Sequence, residues 1–236
     1  MIPIRDTIRS RTTPYVTIGL IAVNAFFFLQ ELRFGPDLDR LVEVFGFIPA
    51  RFVSWTDLGG APLDPWRFVP LFTSMFLHGG WAHIAGNMLY LWVFGDNVED
   101  SFGHLRFLIF YLISGAIAAL ALAFFSPTST VPTVGASGAI AGVLGAYFVM
   151  FPRSRIVTLV PLFFIPWFVQ IPALFYLGFW FLMQLLNGTM ELSARAGMAG
   201  GVAWWAHAGG FVAGIVLSIP FRNRGPGART AAWLAR

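Results

Sequence analysis

Gly135-Ala136-Ser137-Gly138-Ala139-Ile140-Ala141-Gly142-Val143-Leu144-Gly145-Ala146-Tyr147 is the stretch from which the fold can be read. It predicts an apolar helix that opens on a serine, with Gly138, Gly142 and Gly145 recurring at helical spacing. One face is therefore bare enough for a neighbouring backbone to come very close. A serine at that end would be crowded by another helix. Taken alone, Ser137 has an ordinary alternative as a helix cap, its oxygen accepting from free amides of the first turn.

The surroundings are those of a bilayer protein. Of 236 residues, 57% are apolar, 17% aromatic and only 11% charged, which is far from the balance of a soluble domain. Cysteine is absent, so disulfides, thiolate metal sites and a cysteine nucleophile fall away together. Every basic residue is an arginine. The net charge of +4 does not indicate nucleic acid, because the arginines stand at the ends of hydrophobic runs and form no patch with interleaved aromatics. Arginine without lysine, together with abundant Ala and Gly, points to a GC-rich bacterial genome and hence to a bacterial inner membrane.

Outward from 135–147, the expected fold class is all-α: a polytopic membrane protein of six transmembrane helices, with an amphipathic interfacial loop after the first. Arg5, Arg9 and Arg11 precede the first apolar run, 15–29, and no small-residue cleavage site follows, so the run reads as a membrane helix. Asn24 within it is a candidate interhelical hydrogen bonder. Residues 33–77 mix acids, prolines and aromatics and suit the interface. Further spans are read at 81–98, 105–125 and 137–151. The apolar stretch 157–186 exceeds one span and is broken by Pro161, Pro166 and Pro172, which makes 172–186 the fifth span and the part before it an interfacial lead-in. The sixth is 201–221. The membrane domain is thus 1–221, and 222–236 is a basic tail expected to be disordered and cytoplasmic.

Six spans put both termini on one side. Arg5, Arg9, Arg11, Arg106, Arg153, Arg155 and the arginines of the tail fall there, against Arg33, Arg40, Arg51, Arg67 and Arg195 on the other. That bias is the one expected for cytoplasmic termini.

Polar residues inside spans are costly enough to be functional candidates. The fourth span rises only about 22 Å against a hydrocarbon core of about 30 Å, so Ser137 at its outer end should lie below the outer surface. His207 and Asn87 are each six residues into helices that also start outside, a descent of about 9 Å. Three separate helices thereby bring Ser, His and Asn to a similar depth. Gly210 and Gly214 follow His207 on its own face, so a close crossing of the fourth and sixth helices would put Ser137 Oγ within reach of a ring nitrogen. That is how a general base activates a hydroxyl nucleophile. His83 and Asn87, four apart on one face, can donate to a developing oxyanion together with the Ser137 amide. The pair His78 and His83 lacks the His-Glu-x-x-His spacing and an accompanying acid, so no metal and no other cofactor is expected.

These residues resemble one family. Ser137 within Gly-Ala-Ser-Gly-Ala, His83-Ile-Ala-Gly-Asn87 after His78-Gly-Gly, Gly95-Asp-Asn-Val-Glu99-Asp-Ser-Phe-Gly103, Trp66-Arg67, and Trp204-Trp-Ala-His207-Ala-Gly-Gly-Phe are similar to the motifs of the rhomboid intramembrane serine proteases. The resemblance implies a Ser–His dyad with no third acid, Ser137 as nucleophile and His207 as base and then acid, and an oxyanion pocket from His83, Asn87 and the Ser137 amide. It implies single-pass transmembrane proteins as substrates, cut near the outer end of their helix, preferably after a small residue. On that reading Asn87→Ala costs about 10²–10³ in turnover without abolishing it. Family members commonly carry an aromatic ring one turn after the nucleophile, stacked on the histidine, whereas this chain has Ala141. Tyr90 and Trp204 are then the candidates for orienting His207. Glu99 and Arg67 read as structural braces, 126–134 and 187–200 as the rims of a water-filled cavity, and the fifth helix as the side door for substrate.

Two other functions stay open on the sequence. A catalytically inactive relative that binds membrane clients would usually lack the serine or the histidine, and both are present. A transporter with a midplane site predicts ionisable residues deep in several helices and broken helices in paired halves, and neither pattern is evident.

Overall fold

Apolar runs become helices where nothing interrupts them, and the interruptions set the boundaries. The computed structural model describes residues 1–57, 65–162, 165–193 and 202–221. Its helices are α1 (Tyr15–Phe34), α2 (Leu38–Phe45), α3 (Pro49–Asp57), α4 (Pro70–Thr73), α5 (Trp81–Phe102), α6 (His104–Phe125), α7 (Ser137–Met150), α8 (Ala173–Ser193) and α9 (Trp204–Phe221). The tail 222–236, Arg195 and Gly201 lie outside the described residues. Helix α8 extends to Ser193, so the first part of the expected rim 187–200 is helical and most of the rest lies outside the described residues.

Among the described residues, four segments are long and apolar enough to cross a membrane: Tyr15–Phe45, His104–Phe125, Ala173–Leu192 and Trp204–Phe221. Helix α5 has the length, but Asp96, Glu99 and Asp100 occupy its last turns. Helix α7 has only 14 residues. It is also the centre of the molecule: every residue from Ala139 to Tyr147 is buried, with α5, α6, α8 and α9 packed around it. A helix enclosed by others over most of its length has little need to match the hydrocarbon thickness.

The expectation of a purely helical chain is corrected by a three-stranded antiparallel sheet, β1 (Ile2–Asp6), β2 (Arg155–Leu162) and β3 (Ile165–Pro172), in the order β1-β2-β3. The lead-in before α8 takes the form of a hairpin of β2 and β3. Pro161, Pro166 and Pro172 forbid a helix there, while Ile156, Val157, Thr158, Val160 and Val169 favour extended backbone. Pro161 stands opposite Pro166 near the turn, beyond the stretch where β1 pairs, so its missing amide is not needed by that strand. The N-terminal arm joins this sheet, with Ile2 opposite Leu159 and Asp6 opposite Ile156.

Buried polar side chains tie the elements together. Glu99, fully buried, accepts from the Val16 and Thr17 amides at 2.9 and 2.8 Å and from Thr17 Oγ1 at 2.7 Å, with His104 Nδ1 at 2.6 Å. A carboxylate from α5 thus caps the amide-rich end of α1. Asn24, expected to bond between helices, instead donates to Leu20 O of its own helix at 2.7 Å. Arg67 lies over the Phe68 ring with Cζ 4.6 Å from its centroid, inside the first loop as expected.

Asp6 fastens the sheet to the helices. Its Oδ2 accepts from Tyr147 Oη of α7 at 2.5 Å and from Asn97 Nδ2 of α5 at 2.8 Å. Burial, and then the neighbouring Asp96, push its carboxyl up to about 6 despite the Tyr147 bond. The folded state therefore holds this proton more tightly than the unfolded chain. The stability it contributes is complete below the ordinary carboxylate range and is lost as pH rises through about 6. Thermal unfolding in detergent should accordingly give a Tm difference between wild type and Asp6→Asn that changes between pH 4 and 6.5 and is flat above pH 7. A difference independent of pH over this range would refute the raised carboxyl.

Candidate active site

Small residues on facing helices decide where Ser137 and His207 end up. A Cβ added at Gly210 would lie against the Gly138 carbonyl, one at Gly214 against the Gly142 carbonyl, and one at Gly145 against the Phe211 carbonyl. Helices α7 and α9 are therefore in backbone contact along about two turns of α7. At the top of this crossing Ser137 Oγ stands 2.8 Å from His207 Nε2. The capping alternative for Ser137 does not hold: it is the first residue of α7, the cap position is Ala136, and no side chain caps the helix. Both groups are half-buried.

The other ring nitrogen has a partner that no sequence expectation named. His207 Nδ1 lies 2.9 Å from Gln184 Oε1 of α8. Gln184 is 5% exposed, and its Nε2 donates to Trp180 O at 2.9 Å. With the amide nitrogen committed to a carbonyl, Oε1 faces the imidazole and can only accept. The proton of the neutral ring is thereby held on Nδ1, and Nε2 presents its lone pair to the Ser137 hydroxyl. The signal was in the sequence, since Gln184 is the one amide side chain in an otherwise apolar or aromatic run, 173–186.

The departure at Ala141 has a steric cause. Ala141 is fully buried, and its Cβ lies 3.2 Å from where a Cβ of Gly210 would stand, so a ring there would force α7 and α9 apart. Aromatic faces reach His207 from elsewhere, Trp180 of α8 with ring centroids 5.9 Å apart and Trp204 of α9 at 6.4 Å, edge-on. Of the two expected orienters, Trp204 is thus in contact. Tyr90 is not, its hydroxyl lying 3.0 Å from that of Tyr176.

His83 and Asn87 come to the same place from α5. A Cβ added at Gly135 would stand 2.7 Å from His83 Nε2 and 3.7 Å from Asn87 Nδ2, so both nitrogens flank the backbone two residues before Ser137. Gly135 is needed there also for its φ of +126°. His83 Nδ1 accepts from the Gly79 amide at 3.3 Å, which leaves the ring proton on Nε2, toward Gly135. Asn87 Nδ2 is buried with no hydrogen-bond partner among the described residues. His78 is buried edge-on against His83, centroids 5.2 Å apart, and its amide is held by Glu31 of α1 at 3.1 Å. A cavity of about 30 Å³, bounded in part by Ser74, Met75, Gly115, Ala118 and Gly138, opens beside Ser137.

Residues 64–224 match the family model described as the rhomboid domain. Among curated proteins, the chain is similar to rhomboid protease GluP of Bacillus subtilis, 37% identical over 134 residues, covering 56% of this chain and 24% of that protein. It is 35% identical to RHOMBOID-like protein 6 of Arabidopsis thaliana over 54% of this chain and 47% of the relative. Rhomboid protease AarA of Providencia stuartii is 32% identical over 56% and 49% respectively. The matches thus span about a quarter to a half of these relatives' length.

Proposed function

The chain belongs to the rhomboid family, and on that premise we propose that it is an intramembrane serine endopeptidase working through Ser137 and His207. The observation that carries this reading is the 2.8 Å contact between Ser137 Oγ and a His207 Nε2 whose lone pair is turned toward it by Gln184. Ser137 Oγ attacks the substrate carbonyl carbon while its proton passes to Nε2. Negative charge gathers on the carbonyl oxygen, where Asn87 Nδ2, His83 Nε2 and the Ser137 amide donate to it. The imidazolium returns the proton to the departing amine, leaving an acyl-serine. A water then attacks that ester with His207 again as base, and Ser137 is regenerated. Gln184 accepts from Nδ1 throughout, giving the orientation an acid would give without placing a charge in the bilayer.

In this reading α1, α5, α6, α7, α8 and α9 are six spans, 33–77 lies at the outer interface, and both termini are cytoplasmic in a bacterial inner membrane. Substrates are single-pass membrane proteins cut near the outer end of their helix. The cavity of about 30 Å³ beside Ser137 supports a small residue before the cut. Helix α8 supports a side door: 28% of its apolar window is buried, as in Tyr15–Phe45, against 50% in α6 and α9, and of the two little-enclosed segments it is α8 that touches the site, through Gln184.

A serine-reactive phosphonate tests the assignment. Labelling should appear on wild type and vanish in Ser137→Ala; labelling that survives the substitution refutes the nucleophile. The role of Gln184 is tested separately. Gln184→Met keeps the volume but removes the acceptor, so kcat should fall about 10²-fold with KM little changed. If the methionine variant turns over like wild type, or loses through KM rather than kcat, Gln184 does not position the base.

A further inference from the structure

The sheet gathers like charges at the far end of the catalytic helix. Pairing of β1 with β2 sets Asp6 opposite Ile156, and the Arg155 amide donates to Thr7 Oγ1 at 3.0 Å. The connector that follows β1 is thereby laid beside the turn that follows α7. Arg9 and Arg11 from the first segment and Arg153 and Arg155 from the second line one cavity of about 350 Å³. All four side chains belong to exposed residues. The carboxylate in the lining, Asp100, already accepts from the Thr12 amide and Thr12 Oγ1 at 3.0 and 2.7 Å through Oδ1. Neither Arg9 nor Arg155 forms an ion pair among the described residues.

Four guanidiniums around one concavity outnumber the one carboxylate in its lining, and Arg9 and Arg155 add their charge to it with no ion pair of their own among the described residues, so the concavity attracts an anion. The cavity lies beyond the C-terminal end of α7, about 21 Å along that helix from Ser137, where the helices meet the opposite membrane surface. Its size is that of a site for a small molecule rather than for a single ion, and guanidinium forks match phosphate oxygens in pairs. We infer that Arg9, Arg11, Arg153 and Arg155 form a binding site for the phosphate-bearing head group of an anionic membrane phospholipid. Such a lipid joins the N-terminal arm to the turn below the catalytic helix. Ordinary topology anchors would not need this convergence; Arg106, exposed at the start of α6 and outside the cavity, is one of those.

The test is lipid retention by the full chain, released from mixed phosphatidylglycerol and phosphatidylcholine micelles and weighed by native mass spectrometry. Wild type should retain one phosphatidylglycerol in preference to phosphatidylcholine. Arg9→Gln/Arg155→Gln should lower that retention about tenfold or more, while Arg106→Gln leaves it unchanged. Inorganic phosphate at millimolar concentration should not displace the lipid. Retention unchanged in the double variant, equal loss in Arg106→Gln, or displacement by inorganic phosphate each overturns the site. Phosphonate labelling of Ser137 in the same samples reports on the protease reading independently.

Discussion

Ser137→Ala is expected to lower cleavage of a single-span reporter in proteoliposomes by a factor on the order of 10⁶, and His207→Ala added to it should cost almost nothing more. The non-additivity is the informative part. Oγ and Nε2 are only 2.8 Å apart, so in the proposed mechanism serine and histidine act as one proton-transfer unit, and removing either would leave only the donors around Gly135 and the binding of the chain. Single-turnover rates for the two single variants and the double variant measure this directly. If the two losses multiply, Ser137 and His207 act in separate steps and the proposed dyad is wrong.

Gly214→Val should also be damaging, although residue 214 is not among the proposed catalytic groups. The added Cβ would sit inside the contact shell of the Gly142 carbonyl, and backbone cannot rotate away as a side chain can. Intrinsic propensity argues the other way, since glycine inside a helix costs up to about 1 kcal/mol. Overpacking against an immovable backbone costs about 1–3 kcal/mol or more, so the clash wins. Helices α7 and α9 must separate, and the Ser137–His207 contact two turns above separates with them. The expected result is a lowered unfolding temperature in detergent together with phosphonate labelling reduced by about 10² or more. Val216→Ala, on the outward face at 58% exposure, should change neither. A Gly214→Val protein with wild-type labelling would show that the tight crossing is not what holds the pair.

Much of this arrangement was legible in the chain. Apolar runs bounded by arginine point to the long helices, the glycines at 138, 142 and 145 against 210 and 214 point to the crossing, Ser137, His207 and Asn87 are grouped by their similar depths, and His83 joins them by its four-residue spacing from Asn87. The boundaries of 157–172 were harder, because an apolar proline-broken stretch is consistent with an interfacial segment or a hairpin until its partner strand is known. The partner is Ile2–Asp6, some 150 residues away, and nothing local announces the pairing.

The sequence by itself determined which long helices form, which faces are bare, and which side chains are candidates for the proposed chemistry, because hydropathy and small-residue spacing act along a few turns of chain. Only the tertiary structure decided what orients the base and where the arginines converge. Gln184 meets His207 across 23 residues, and Arg9 shares a cavity with Arg155 through a strand pairing between opposite parts of the chain. Such contacts depend on how separate elements are set against one another, which is a property of the packed assembly and not of any one segment.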